Sequence, residues 1–239
     1  MNKSEQYKEY FTNDYMMGPN SVRIVEELLA KYPLELNSES RLLDLGCGAG
    51  LTSYFLANET NATVYANDLW IQAEANKERF KQWGMENKIY PLQEDATSFQ
   101  FEEGFFDAIV SVDAYHYFGG KEGFLAEKIL PFVKGGGMIL LAVPGMKEQY
   151  EGKQRETIHE WLGEDDYMFH SESWWKQLIG KHPSIEFVHT WELESFPIAW
   201  SEWLQMDNEY ANGDRKFFDA VIKKYTNLVG IAVKKKHLK

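Results

Sequence analysis

The chain is poor in cysteine and in positive charge. One cysteine among 239 residues, Cys47, can form no internal disulfide and no cysteine-based metal cluster, as suits a reducing compartment. Acidic residues number 37 against 25 basic ones, a net charge of −12. Such a body repels phosphate backbones, which argues against DNA or RNA as a partner. The only basic cluster, Lys234 to Lys236 with Lys239, reads as a solvated terminus. No run of about 18 apolar residues is present to insert into a membrane, and the polar stretch from Met1 to Tyr15 has no apolar core of the signal-peptide kind. A cytoplasmic protein with one large core is expected.

What is present centres on Arg41-Leu-Leu-Asp-Leu-Gly-Cys-Gly-Ala-Gly50. An apolar run, a Gly-x-Gly-x-Gly turn and the amphipathic stretch from Leu51 to Leu56 read as strand, tight turn and helix. Glycine at Gly46 and Gly48 permits unusual backbone angles and lets a ligand lie against the main chain. The N–H groups of the helix starting near Gly50 point into the same space. A P-loop would need a lysine after the last glycine, and the dinucleotide fingerprint would need glycine where Leu51 stands. The bland alternative is a plain strand-to-helix connection.

Downstream, strand and helix alternate. Val22 to Tyr32 repeats at helical spacing with Ser21 as the expected N-cap, Ala62 to Asp68 reads as a second strand, and Ile71 to Trp83 as a helix. Lys88 to Leu92, Phe105 to Val112, Gly137 to Val143, Ile185 to Leu193 and Leu228 to Lys234 complete seven strands, with helices at 173–179 and 215–225. Alternation of this kind predicts an α/β fold with a mostly parallel, Rossmann-like sheet and helices on both faces. Adjacent strand ends line one crevice in such a sheet, so Asp68 falls beside the glycine turn, where its carboxylate could accept from two vicinal hydroxyls. Leu69 and Trp70 offer a flat apolar face at the same point.

The glycine turn with Asp44 two places before it resembles motif I of the class I S-adenosylmethionine-dependent methyltransferases. The likeness continues through Asp68, through Asp95-Ala96 after the third strand, through Phe106-Asp-Ala-Ile109 into Asp113, and through Lys134-Gly-Gly-Gly137. It implies S-adenosylmethionine as cofactor and S-adenosylhomocysteine as product. Asp44, Gly46, Cys47, Gly48 and Gly50 would lie at the amino-acid end, Asp68 on the ribose, Leu69 and Trp70 beside the adenine, and Asp95 and Ala96 on its edge, with Asp113 where cofactor and acceptor meet. The branch acting on small molecules, which includes phosphoethanolamine and ubiquinone-type enzymes, is the one resembled. In phosphoethanolamine enzymes a Tyr and a His form a dyad over the methyl group, and Tyr15 and His116 stand in the corresponding regions. No Asn/Asp-Pro-Pro stretch follows the fourth strand, and the fifth ends in Pro144-Gly-Met146 rather than in paired metal ligands. DNA amino-group and magnesium-dependent relatives are thereby set aside, and no metal is expected. A methyl group on the sulfonium needs mainly an aligned nucleophile, with His116 as the base for a protonated acceptor.

One domain is expected over 1–239, with 1–20 as an N-terminal lid, 21–143 as the cofactor core and 144–239 carrying substrate-lid insertions. The last part holds Trp161, Trp174, Trp175, Trp191, Trp200 and Trp203. They read as packing or, with Glu192, Glu194, Glu202 and Asp207, as an aromatic pocket for an amine. The function expected is methyl transfer to a small-molecule amine or hydroxyl. Its rivals are a non-catalytic S-adenosylmethionine sensor or scaffold and, more distantly, a nicotinamide oxidoreductase.

Overall fold

Short apolar runs alternating with amphipathic stretches fold as the pattern requires. The computed structural model describes residues 2–153, 155–180 and 182–237. Met1, at the head of the N-terminal segment, Gln154, Lys181, and Leu238 and Lys239 of the lysine tail lie outside the described residues. The strands are β1 (Arg41–Leu45), β2 (Thr63–Asn67), β3 (Ile89–Leu92), β4 (Phe106–Val112), β5 (Val133–Met146), β6 (Ile185–Glu192) and β7 (Thr226–Lys235). They form one seven-stranded sheet in the order β3-β2-β1-β4-β5-β7-β6. β1 to β5 pair in parallel, and β7 lies antiparallel between β5 and β6.

The helices are α1 (Ser21–Lys31), α2 (Leu51–Thr60), α3 (Ala73–Gln82), α4 (Arg155–Leu162), α5 (Glu172–Ile179), α6 (Phe196–Trp203), α7 (Glu209–Phe217) and α8 (Lys223–Tyr225). Successive strand residues serve opposite faces of the sheet. Leu42, Val110 and Leu140 pack with Val25 and Leu28 of α1, Phe55 of α2 and Trp203 of α6. Leu43, Ile109 and Ile139 pack on the other side with Leu125, Ile129 and Trp175 of α5. This alternation is why the strands read as continuous apolar runs.

Several boundaries differ from expectation. Asn20, not Ser21, caps α1, its side chain accepting from the Val22 N–H at 3.0 Å. β5 runs on to Met146 because β7 pairs with it as far as Thr226. In place of one helix over 215–225 the chain makes the end of α7, a wide-turned segment, Phe218–Ile222, and α8. The N-terminal segment coils as a 3-10 helix, Lys3–Tyr10, with no apolar face of its own to announce it.

Candidate active site

The carboxyl ends of β1, β2, β3 and β4 open on a cavity of about 390 Å³. Its floor is the glycine turn. Gly46, Gly48 and Gly50 all adopt left-handed φ, 79°, 53° and 87°, which side chains resist. A Cβ on Gly46 would stand 2.2 Å from that of Ala114, and one on Gly48 would stand 2.9 Å from Met17 Sδ. The turn therefore offers bare main chain between β4 and the N-terminal segment.

Asp68, at the carboxyl end of β2, locks this turn to its own loop. One carboxylate oxygen accepts from the Gly48 N–H at 2.8 Å, and the other from Trp70 and Ile71 N–H at 2.8 and 2.9 Å. Oδ1 is thereby filled, and Oδ2, with a single partner, keeps one acceptor site. Leu69 and Trp70 follow as exposed apolar side chains on the rim. Asp95 accepts from the N–H and hydroxyl of Thr97, both at 2.8 Å, and the Thr97 backbone hydrogen bond is the main cause of its lowered pKa.

Of the residues singled out in the sequence, Tyr15, Gly46, Cys47, Gly48, Asp68, Leu69, Trp70, Asp95, Ala96 and Asp113 line the cavity. Asp44, Gly50 and His116 are not in its wall. Fully buried Asp44 accepts from the hydroxyls of Thr52 and Ser53, both at 2.6 Å, and so fixes the start of α2 to β1 from behind. Burial pushes its carboxyl up to about 6. Gly50 is the residue before α2 and packs against Phe80 of α3.

His116 sits in the 3-10 turn Tyr115–Tyr117. Three residues per turn point in three directions. Tyr115 enters the core, Tyr117 reaches the cavity, and His116 is buried, its ring 4.1 Å from that of Tyr117. Burial lowers its pKa to about 3, and Nδ1 has no hydrogen-bond partner among the described residues. Tyr15 instead rests edge-on against Trp83 at 5.2 Å, under Arg79. Among the described residues no contact joins Tyr15 to His116, so the expected dyad is not assembled.

Asp113 follows β4 directly. It has a left-handed backbone, φ 54°, uncommon for a residue with a side chain. Burial, and then the nearby Asp214, push its carboxyl up to about 7.

The tryptophans of the last third build structure rather than this wall. Trp161 and Trp203 both donate to Asp214, at 2.7 and 2.8 Å. Glu202 is taken by Arg23, and Glu192 by Asn227. Of the two readings of these tryptophans, packing is the one these contacts support.

Three contributors were not singled out in the sequence. Asn76 of α3, fully buried, donates to the Gly48 carbonyl at 3.0 Å. An Asn one turn before Phe80 on the buried stripe is its sequence signal. Gly18 and Tyr117 carried no comparable signal, because only the fold brings them to Asp113. Among the described residues no group of three or more His, Cys, Asp or Glu gathers as a metal site, and no helix is long and apolar enough to cross a membrane.

Residues 42–137 match a family model described as a methyltransferase domain. The chain is similar to the probable chloroplastic tocopherol O-methyltransferase of Oryza sativa subsp. japonica, 30% identical over 110 residues, which cover 44% of this chain and 30% of that protein. It is also similar to methyltransferase GfsG of Streptomyces halstedii, 26% identical over 152 residues, covering 58% and 54%. The chain therefore spans from under a third to about half the length of these curated relatives. Among solved structures, phosphoethanolamine N-methyltransferase 2 of Haemonchus contortus, in complex with phosphomonomethylethanolamine and S-adenosylhomocysteine, matches with a TM-score of 0.73 at 17% identity, covering 99% of this chain and 58% of that one. At that identity the likeness is one of fold, the class I methyltransferase fold.

Proposed function

We propose that this chain, whose residues 42–137 belong to the methyltransferase domain family, is a class I S-adenosylmethionine-dependent methyltransferase acting on a small molecule. The observation that carries the reading is the cavity itself, where a glycine turn bare of Cβ atoms faces Asp68, Asp95 and Ala96 across one space.

The residues fit the cofactor. Gly46, Cys47 and Gly48 would hold its amino-acid end against main chain, Asp68 the ribose hydroxyls, Leu69 and Trp70 the adenine face, and Asp95 with Ala96 the adenine edge. Asp44 and Gly50 act from behind by setting the turn and the start of α2. When bound, the cofactor supplies a methyl group already activated by its sulfonium. The chain's work is to hold an acceptor in line with that group and to exclude water. Tyr15, Met17 and Gly18 form the roof, so residues 1–20 are the lid in this reading, over a cofactor core of 21–143 and a C-terminal part of 144–239. No step calls for a metal. The single buried cysteine and the acidic surface favour a cytoplasmic protein without a nucleic-acid partner.

Calorimetry with S-adenosylmethionine tests the cofactor, and a screen of small acceptors read by S-adenosylhomocysteine release tests the reaction. Binding without release by any acceptor would favour a sensor or scaffold. No binding at all would end the reading.

A further inference from the structure

The cavity wall carries charge of one sign. Its ionisable acids are Asp68, Glu94, Asp95 and Asp113, and among the described residues no lysine, arginine or histidine borders it. A phosphate or carboxylate on the acceptor would leave water and find no cation of this chain to meet it. A cation would meet the reverse.

The acids are not equivalent. Asp68 and Asp95 already accept backbone hydrogen bonds. Asp113 accepts none at its side chain among the described residues. Its left-handed backbone sets the carboxylate in the wall, and Gly18 of the roof passes so close that a Cβ there would stand 2.7 Å from Asp113 Oδ2. Tyr117, one turn on, presents its ring to the same cavity, and Tyr15 lines it from the roof. An unpaired carboxylate beside the Tyr117 side chain is a socket for an ammonium group.

Resting on the methyltransferase reading, we propose that the acceptor is a small amine bearing no phosphate or carboxylate, and that Asp113 binds its ammonium and takes its proton. This places Asp113 at the acceptor rather than at the cofactor. The ammonium gives one proton to the carboxylate. The freed nitrogen lone pair then forms the new C–N bond as the S–C bond breaks, sulfur keeping that bond's electron pair as a thioether. The proton on Asp113 passes to water as the product leaves. A carboxyl raised to about 7 by burial, and by Asp214 of α7, is matched to proton transfer near neutral pH. The other ionisable groups in its surroundings are Tyr117, on which Asp165 acts as well, and the cavity acids.

The test is calorimetry on the full chain with S-adenosylhomocysteine present. The probes are dimethylethanolamine, benzylamine and 1,4-diaminobutane, with the phosphate monoester of dimethylethanolamine and neutral 3-methylbutan-1-ol as controls. At least one amine is expected to bind, about tenfold more tightly at pH 8 than at pH 6, and the phosphate ester and the alcohol at least about tenfold more weakly than that amine. Asp113→Asn, which suits a left-handed backbone, is expected to lose about tenfold in amine affinity while holding S-adenosylhomocysteine as before. Binding of no amine, or of the ester as tightly as its amine, overturns the proposal. So does an Asp113→Asn effect that falls on S-adenosylhomocysteine instead. If the unaltered chain fails to bind S-adenosylhomocysteine, the methyltransferase reading falls too, and the two failures are thereby told apart.

Discussion

Asp68 shows how one carboxylate can serve both fold and ligand. It joins the glycine turn to the loop after β2 through three backbone N–H groups and still has one acceptor site left, on Oδ2, in the cavity wall. Asp68→Ala is therefore expected to weaken S-adenosylmethionine binding by about 1.5–3 kcal/mol for each charge-assisted bond lost. Unchanged affinity in calorimetry would remove Asp68 from the site. For His116 the structure alters the expectation. A buried, neutral imidazole outside the cavity wall supports its neighbours, so His116→Ala should lower stability by roughly 2–5 kcal/mol, as large-to-small core changes do, and change turnover by less than about tenfold. A 10²–10⁴-fold loss of turnover, the range of a lost general base, in a variant of normal stability would restore the dyad.

At the scale of elements, the N-terminal 3-10 helix has little reason to form alone. Its hold is Arg23 of α1, which is almost fully buried, binds Glu5 and Glu202 at 2.6 Å each and donates to the Ser4 hydroxyl at 2.8 Å. Lys3 and Tyr7 add contacts to Glu59 of α2 at 2.7 and 2.9 Å. Without Arg23, half-buried Glu202 keeps only Asn20 as a partner while exposed Glu5 keeps Lys8, so Arg23→Ala is expected to cost about 3 kcal/mol. Urea denaturation reads that cost, and faster hydrogen exchange over residues 3–10 should accompany it. The following segment, 15–19, lies over the glycine turn and Asp113 with only side-chain tips between. If it is a lid, its exchange slows when S-adenosylhomocysteine is added, and equal exchange in both states would count against closure.

For the whole molecule, fully buried Asp44 and half-buried Asp113 set a pH dependence. An aspartate ordinarily titrates near 3.9, whereas Asp44 is raised to about 6 and Asp113 to about 7, burial being the first cause in both. A carboxyl that holds its proton more tightly in the fold contributes stability that is fully present below about pH 4 and lost as pH rises through its folded pKa. The stability of Asp113→Asn relative to the unaltered chain should thus be constant below about pH 4 and shift in the variant's favour up to about pH 7. A difference that stays flat across that range would mean that the Asp113 carboxyl titrates alike in folded and unfolded chains.

The βα units, the glycine turn and Asp68 beside it were legible in the sequence because each is a short-range matter. Apolar runs bury both faces of a parallel strand, glycine alone accepts the turn's backbone freely, and parallel strands bring their carboxyl ends to one side. The same local rules could not decide which residue of Tyr115-His116-Tyr117 meets the ligand. That was settled by packing: Tyr115 fills the core beside Gly119, where a Cβ would stand 2.1 Å from its ring, and the turn then carries Tyr117 to the cavity and His116 away from it. Nor could they join Glu202 to Arg23 across 179 positions or bring Gly18 over Asp113. Those contacts between distant segments exist only once the sheet has placed the elements that hold them.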